Sequence, residues 1–241
     1  AGDCLKARHP GSLTIAVEAL QCPTLLRFGF GEHRIEGIGD KHIPWIHNTR
    51  NTDMVAAVDD EQTLQLMRLF NEPAGHACLA REGVDEHLLG HLGEIGISGL
   101  CNLVASIKAA RYYDMDSRDV IFTPLTDAME LYASRMEEMA ASHGPYDSRL
   151  ADQHYARYLQ GITVDHLREL SYRDRKALHN FKYFTWVEQQ GRSVDELREL
   201  WDPEFWEQVF SNEVIDEWDR LIGAFNDATG LLGAASEGGT A

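Results

Sequence analysis

Short apolar runs alternate with helical hydrophobic patterns along the first 140 residues of the chain. Residues 12–19, 54–58 and 119–124 are rich in β-branched and other apolar side chains, a composition that predicts strands. Between them, apolar side chains recur every three or four residues over residues 64–70 and 100–110, which predicts helices with one buried face. Because strands and helices alternate, the pattern predicts an α/β fold built on a parallel sheet.

Polar residues mark where three helices are expected to begin. Asp59 with Gln62, and Asp127 with Glu130, have the spacing of a capping box. Ser98 stands before the longest apolar helical pattern and is a candidate cap. We therefore predict helices that start after Asp59, Ser98 and Asp127.

No strand pattern follows residue 145, and the rest of the chain is predicted to be helical. The predicted helices cover residues 147–160, 163–190, 193–201, 203–210 and 212–229. Aromatic residues of this part are expected in the core rather than in a stacking platform: Tyr183, Phe184, Trp186, Trp201, Phe205, Trp206, Phe210 and Trp218. The predicted organisation is an α/β domain over residues 1–140, a helical extension over residues 141–232 and a flexible tail over residues 233–241.

Acidic residues dominate the charge of the chain. Its 39 Asp and Glu residues outnumber 22 Lys and Arg residues, so the formal net charge is −17. Such a chain is poorly suited to bind nucleic acid or an anionic membrane, because both need a basic surface. No run of about 18 apolar residues and no signal peptide is evident, and the four cysteines are well separated, with Cys101 in an apolar helical pattern. We expect a cytoplasmic protein with reduced thiols and with Cys101 in the core.

A glycine-rich segment, Gly37-Ile38-Gly39, stands between the first two predicted strands. Glycine lets the backbone turn sharply and approach another group closely, and Pro44 prevents a helix from continuing through the segment. Tight turns between the strands of an α/β sheet are common ligand sites. The residues alone leave two alternatives open, a simple turn or part of a binding site.

Other familiar catalytic and metal-binding arrangements are incomplete in this sequence. His87 and His91 would share a helix face, but the Glu that accompanies zinc-binding pairs and a third ligand are missing. No G-x-S-x-G motif and no P-loop occurs. No G-x-G-x-x-G fingerprint follows a strand, which disfavours a nicotinamide-dependent oxidoreductase.

Three short segments occur in a distinctive order along residues 1–140. They are Ile35-Glu36-Gly37-Ile38-Gly39-Asp40 with Ile43-Pro44, then Gly96-Ile97-Ser98-Gly99, then Val120-Ile121-Phe122-Thr123-Pro124 with Thr126. Together they resemble the C-terminal half of the fold type II pyridoxal-phosphate enzymes, the family of cysteine synthase, cystathionine β-synthase, threonine synthase and the tryptophan synthase β chain. The helical end, including residues 179–190, resembles the extension of family members described as pyridoxal-phosphate-dependent protein subunit β.

The resemblance implies a binding site for pyridoxal 5'-phosphate. In the family, the glycine turn lies beside the cofactor ring, and the Gly-Ile-Ser helix start abuts the pocket. For Ser98 the alternative role of a simple helix cap stays open. The residues that the resemblance places at the cofactor are Gly37, Ile38, Gly39, Ser98, Gly99, Thr126 and Asp127.

Thr126 and Asp127 are rival partners for the pyridine nitrogen of the cofactor. A neutral hydroxyl from Thr126 would leave that nitrogen largely unprotonated, which suits β-elimination or β-replacement through an aminoacrylate. A carboxylate from Asp127 would hold a protonated ring and permit other chemistry. The resemblance favours Thr126.

The lysine that forms the Schiff base belongs to the other half of the family fold, so no catalytic residue is expected in this chain. The lysines present are Lys6, Lys41, Lys108, Lys176 and Lys182. None has a recognisable Schiff-base context, and Lys41 is expected at the surface. The hypothesis is therefore the C-terminal portion of a pyridoxal-phosphate-dependent amino-acid lyase or synthase, inactive alone and completed by a missing N-terminal segment or a partner chain.

The complete enzyme is expected to be a homo-oligomeric lyase or transferase of amino-acid metabolism that acts on a Ser-, Cys- or Thr-like substrate. The alternative is a non-catalytic subunit or interaction module that retains the fold and holds a partner with its helical end. The sequence leaves the choice between the two open.

Overall fold

The computed structural model describes residues 2–230, which form two compact units. The larger unit holds residues 13–182, and the smaller holds residues 2–12 and 183–230. The boundary predicted at residue 140 falls inside a helix of the larger unit, and the predicted tail, residues 233–241, lies outside the described residues. The strands are β1 (Ile15–Ala19), β2 (Met54–Val58) and β3 (Leu167–Glu169). The helices are α1 (Gly2–Arg8), α2 (Thr24–Arg27), α3 (Asp60–Asn71), α4 (Pro73–Arg81), α5 (Glu86–His91), α6 (Ile97–Tyr112), α7 (Ala133–His143), α8 (Ser148–His154), α9 (Tyr172–Lys182), α10 (Val194–Glu199), α11 (Pro203–Val209) and α12 (Asn212–Thr229).

The larger unit is built on a three-stranded sheet in the order β1-β2-β3. β1 and β2 run parallel, with Val17 opposite Ala56, and both strands were expected from their apolar runs. β3 runs antiparallel to β2, with Leu167 opposite Ala56, so the prediction of a parallel sheet is wrong for this strand. Three residues are too few to show a strand period, which is why β3 left no signal in the sequence.

The third predicted strand, residues 119–124, does not join the sheet. These residues form an extended loop, and residues 120–123 make no backbone hydrogen bond to the backbone of any residue in the described part of the chain. A strand needs a neighbour to complete its hydrogen-bond ladder, and propensity alone does not supply one. The prediction of a strand here is therefore wrong for this structure.

Helix starts follow the sequence signals at one predicted position and depart from them at another. Asp59 caps α3 as predicted, because its carboxylate accepts a hydrogen bond from the Gln62 N–H at 3.0 Å. α6 instead has Gly96 as its N-cap, so the prediction of Ser98 as the cap is wrong. The Ser98 hydroxyl is hydrogen-bonded to Thr126 rather than to the helix backbone.

Two further predicted helices are interrupted or displaced. The helix expected after Asp127 begins as a 3₁₀ turn, Met129–Tyr132, which no side chain caps and which leads into α7. The Asp127 carboxylate does not cap this turn, and its Oδ2 accepts a hydrogen bond from the Tyr132 hydroxyl. The single helix predicted over residues 163–190 is replaced by β3, α9 and a π-helical segment, Tyr183–Gln189.

The core of the larger unit surrounds β2, whose five residues are all buried. Ala56 and Val58 pack with residues of α3 and α6, while Val55 and Ala57 pack on the opposite face with residues of α2 and α9. A strand buried on both faces shows a continuous apolar run instead of alternation. Cys101 lies fully buried in the same core, as predicted, and burial raises the pKa of its thiol to about 12.

The smaller unit has well-capped helices but little of the expected aromatic core. α12 spans the predicted residues 212–229, and α10 begins with the capping box of Ser193 and Glu196. Of the eight aromatic residues predicted to be core, only Trp206 is buried, so that prediction is largely wrong. Five apolar side chains on α12 are 45–65% exposed: Ile215, Trp218, Leu221, Ile222 and Phe225.

Helix length and composition also bear on membrane insertion. Within residues 2–230, no single helix is long and apolar enough to cross a membrane. One bent pair, residues 86–94 with α6, meets the length and composition requirements only when its two members are taken together.

Candidate functional site

The predicted glycine turn lies at the carboxyl end of β1. Gly37 and Gly39 have φ angles of +82° and +95°, a region that side chains rarely adopt, so both positions require glycine. A β-carbon added to Gly39 would lie 3.4 Å from Cβ of Ala19, the last residue of β1, and 3.1 Å from Nε2 of His33. The turn is therefore closely packed on this side.

The other side of the turn faces the start of α6. A β-carbon added to Gly37 would lie 3.6 Å from Ser98 Cβ, an ordinary contact distance. Ser98 is 3% exposed and belongs to the first helical turn, where no side chain caps the helix. The N–H groups of this turn give the helix end a partial positive charge, which favours a negatively charged group nearby.

The loop of residues 124–127 closes against the same helix end. The hydroxyl oxygens of Ser98 and Thr126 are 2.6 Å apart, a hydrogen bond between two segments that are 28 residues apart in sequence. The Gly96 N–H donates to the Asp127 carbonyl oxygen at 3.0 Å. The loop is thus held at two successive residues.

Two contacts fix the beginning of this loop. The Asn102 side-chain amide donates to the Pro124 carbonyl oxygen at 3.0 Å. A β-carbon added to Gly99 would lie 3.2 Å from Leu125 Cδ2 and 2.9 Å from Ile95 Cγ2, so the close packing at this point depends on glycine. The three segments singled out in the sequence therefore meet at the N-terminus of α6.

The Asp127 carboxylate lies directly against the start of α6. A β-carbon added to Gly96 would lie 2.0 Å from Asp127 Oδ1, so only glycine permits this approach. The Tyr132 hydroxyl donates to Oδ2 at 2.5 Å, while Oδ1 is buried without a hydrogen-bond partner among residues 2–230. Burial, together with the hydrogen bond to Asp127 and the charge of that residue, raises the pKa of Tyr132 to about 12. The phenol therefore stays protonated and acts as a donor.

An ion pair ties the glycine turn to α7. Glu36, which precedes the turn, pairs through Oε1 with Arg135, and Arg135 Nη1 also lies 2.6 Å from Glu138 Oε2. The hydrogen bond to Glu36 raises the pKa of Arg135, so the guanidinium remains charged. Glu36 Oε2 is buried and has no hydrogen-bond partner in the described part of the chain.

Most of the residues that the sequence proposed for the site come together in space. Those that meet at the start of α6 are Gly37, Ser98, Gly99, Thr126 and Asp127. Ile38 packs against the hydrophobic core instead, and Gly39 faces His33. The structure therefore shows proximity for most of the predicted residues but not for Ile38.

Sequence reasoning missed Tyr132 and Arg135 as parts of the site. The apolar periodicity assigns Tyr132 to a buried helix face, and Arg135 belongs to no motif. The available signal was a tyrosine and an arginine shortly after Thr126 and Asp127. Only the fold shows that one contacts Asp127 and the other contacts Glu36.

Two lysines of the larger unit are buried, and both are hydrogen-bonded. Lys182 Nζ donates to the carbonyl oxygens of Trp45 and His47 at 2.8 and 2.7 Å. Lys108 Nζ donates to the carbonyl and carboxylate oxygens of Asp165 at 2.8 and 2.5 Å. Burial lowers the pKa of Lys182 to about 7. The two hydrogen bonds of Lys182 anchor residues 45–47, which follow the glycine turn.

A separate cavity of about 420 Å³ opens beside the carboxyl ends of β1 and β2. Its lining combines cations and anions, including Lys108, Arg157, Asp59 and Asp165. None of the residues predicted for the site lines this cavity. It therefore does not coincide with the cluster at the start of α6.

The histidine pair on α5 is not part of a larger ligand cluster. The rings of His87 and His91 lie 4.5 Å apart, and His91 Nδ1 is 2.6 Å from Glu94 Oε1. Among the residues that the structure describes, no group of three His, Cys, Asp or Glu side chains is placed to hold a metal ion.

Comparison with known proteins identifies one partial similarity. Cysteine synthase B from Campylobacter jejuni is 30% identical to this chain over 133 residues, which are 55% of this chain and 38% of that protein. The chain thus spans less than half the length of the curated relative that it matches. No protein-family model matches the chain. No solved structure matches it significantly.

Proposed function

We propose that this chain is the C-terminal portion of a pyridoxal-phosphate-dependent enzyme that acts on an amino acid as a lyase or synthase. The observation that carries the proposal is the meeting of the glycine turn, the α6 start and the loop at Thr126. Residues far apart in sequence, such as Gly37, Ser98 and Thr126, form a continuous set of contacts. The partial similarity to cysteine synthase B supports the same family.

The residues present fit such a cofactor in three respects. Gly37 offers backbone without a side chain, so a flat ring can approach it. The start of α6 favours an anionic group. Glu36 Oε2 and Asp127 Oδ1 are buried acceptors without partners among residues 2–230, and a bound ligand could satisfy them.

Some residues of this chain would contact the cofactor, and others would hold those residues in position. Gly37 would border the cofactor ring, and Ser98 would orient the Thr126 hydroxyl through their 2.6 Å hydrogen bond. Thr126 would be the preferred partner for the pyridine nitrogen, because it is exposed whereas Asp127 is half-buried and accepts a hydrogen bond from Tyr132 through Oδ2. When bound, pyridoxal phosphate supplies the electron sink for losing or replacing a β-substituent of an amino acid.

The Schiff-base lysine is proposed to come from outside this chain. Lys41 is exposed, and the amines of Lys108 and Lys182 are bonded to protein oxygens. The similarity covers 38% of cysteine synthase B, so most of such an enzyme has no counterpart in the matched region. A complementing segment, whether a separate chain or another part of the same polypeptide, would supply the lysine and the substrate carboxylate loop.

The test is to add pyridoxal phosphate to the purified chain, reduce it with borohydride and map modified lysines by mass spectrometry. We expect no visible Schiff-base band and no lysine modified above the level of an unrelated control protein. The Lys41→Ala variant serves as the matched control. A strong band that disappears in Lys41→Ala would contradict the split-site proposal.

The second candidate is a non-catalytic interaction module. It is favoured by α12, whose apolar residues Trp218 and Phe225 are 58% and 65% exposed. Large exposed apolar patches commonly mark protein–protein contacts. If the chain binds a partner that contains no pyridoxal phosphate, this candidate replaces the first.

A further inference from the structure

Residues 119–124 carry the composition of a buried strand but occupy the surface. Val120, Ile121, Phe122 and Thr123 are all residues that favour strands. In the structure Val120 is 78% exposed and Phe122 is 91% exposed. Large apolar side chains in such numbers at one surface site indicate an interaction surface more often than a solvated loop.

The backbone of the same segment is also unused. The N–H groups of residues 120–123 donate to no backbone oxygen of the described chain. An extended segment with free N–H and C=O groups is a template for another strand. The sheet of the larger unit has three strands, fewer than the four to six that are typical.

The carboxyl end of the segment is held against α6, while residues 120–123 have no backbone partner among the described residues. Asn102 holds Pro124, and Ser98 holds Thr126, so the carboxyl end is fixed to α6. Residues 120–123 precede these anchors and project the apolar side chains into solvent. A strand added here would lie next to Thr126 and therefore next to the candidate cofactor site.

A second copy of this chain is a poor occupant of the segment. The chain carries a net charge of −17, so two copies repel each other. A pair of four-residue strands also buries far less than the roughly 1,200 Å² that a stable interface needs. A strand that belongs to a larger complementing body meets that area requirement through its other contacts.

We infer that residues 120–123 are the docking site for a β-strand of the complementing part of the enzyme. The added strand pairs with their backbone and covers Val120 and Phe122, in the manner of β-strand addition. The inference rests on the proposed function, since the strand is assigned to the body that carries the Schiff-base lysine. It adds to the proposed function the segment at which the complementing part docks and the β-strand by which it does so.

The test replaces Phe122 with a photo-crosslinking residue in the full chain. The variant is expressed in the organism from which the protein comes, so that its natural partners are present. Phe122→benzoylphenylalanine is compared with Phe30→benzoylphenylalanine, since Phe30 is also an exposed phenylalanine of the larger unit, at 76%. After irradiation the sample is reduced with borohydride, which fixes pyridoxal phosphate to the lysine that holds it. Mass spectrometry then identifies the crosslinked peptide and any modified lysine.

We expect position 122 to crosslink to a polypeptide segment that also belongs to the body with the modified lysine, and position 30 not to do so. A crosslink from position 122 to a body without a modified lysine keeps the docking site and overturns the proposed function. A modified lysine in a co-purified body without a crosslink specific to position 122 keeps the function and overturns the docking site. Crosslinks only between copies of this chain, or none at all, also overturn the docking site.

A second variant separates backbone pairing from simple contact. Thr123→Pro removes one N–H of the segment and should reduce the crosslink yield from position 122 by about fivefold. Thr123→Val keeps the N–H and serves as the control with full yield. Equal yields in the two variants would overturn strand pairing, and unchanged circular dichroism would exclude a folding defect.

Discussion

Two apolar runs of the larger unit have similar composition and opposite environments. β2 (Met54–Val58) is buried at every residue, whereas Phe122 in the run of residues 119–124 is 91% exposed. β2 is hydrogen-bonded to β1 on one edge and to β3 on the other. Residues 120–123 have no strand neighbour in the described part of the chain.

The difference shows what strand propensity does and does not specify. Propensity measures how well side chains fit a pleated, partly buried surface, and it depends on neighbours being present. β2 has two neighbouring strands and helices over both faces. The run at residues 119–124 has the side chains but not the neighbours, so it forms no strand within the described part of the chain.

The largest expected effect is the difference in unfolding free energy between a variant with a new carboxylate in β2 and one with a new carboxylate in residues 119–124. Ala57→Asp buries an unpaired carboxylate in β2, where residue 57 is 0% exposed, and should lower the free energy of unfolding by more than about 4 kcal/mol. Phe122→Asp should change it by less than about 0.5 kcal/mol, because the side chain is already in water. Urea unfolding of both variants measures the contrast. Similar losses in the two would show that residues 119–124 belong to the folded core.

The second prediction concerns the buried amine of Lys182, the last residue of α9, a helix that packs against β2. The folded pKa of Lys182, about 7, lies below its ordinary value of 10.5, so the unfolded state binds more protons between these pH values. Stability should therefore rise with pH in this window, by roughly 2–3 kcal/mol over two pH units for one proton. The Lys182→Met variant should lack this rise.

The control for the buried amine is Lys41→Met. Lys41 is exposed, so its removal should leave the pH dependence of unfolding unchanged. Urea unfolding of the three proteins at several pH values between 7 and 10 provides the measurement. A pH profile shared by wild type and Lys182→Met would contradict the assignment.

The third prediction concerns the turn that follows β1, the neighbour of β2. Gly39→Ala should cost about 2 kcal/mol, because φ is +95° and the new β-carbon would lie 3.1 Å from His33 Nε2. Gly90→Ala in α5 is the matched control, since no atom lies within 4 Å of its added β-carbon. It should be neutral or stabilising by up to about 1 kcal/mol. Thermal or urea unfolding distinguishes the two.

The smallest expected effect comes from releasing the carboxyl end of residues 119–124, which Asn102 holds through Pro124. Asn102→Ala removes the hydrogen bond to the Pro124 carbonyl and should lower the unfolding free energy by about 1 kcal/mol. It should also speed hydrogen exchange of the Gly96 N–H, which donates to the Asp127 carbonyl oxygen of the same loop, without changing residues 120–123, which already lack backbone partners. Exchange mass spectrometry reads both segments. If residues 120–123 exchanged more slowly in the wild type than in the variant, their N–H groups would be hydrogen-bonded in the wild type, contrary to the structure.

The sequence allowed part of the fold to be predicted, together with several residues that the structure brings together at the start of α6. Asp59 was recognisable as a cap because its spacing to Gln62 is local, and it caps α3. The need for glycine at positions 37 and 39 was likewise predictable, and both have positive φ. Tyr132 and Arg135 were not predictable, since their partners Asp127 and Glu36 are reached only through the folded loop and the paired helix.

By itself the sequence determined β1, β2, the cap of α3 and the sharpness of the glycine turn, because each depends on residues within a few positions of one another. Tertiary structure alone decided that β3 runs antiparallel, that residues 120–123 have no strand neighbour in the described part of the chain and that Ser98 meets Thr126 instead of capping α6. These outcomes depend on which distant groups are available as partners. A hydrogen-bonding group takes the partner that the fold presents, and local spacing carries no record of that partner.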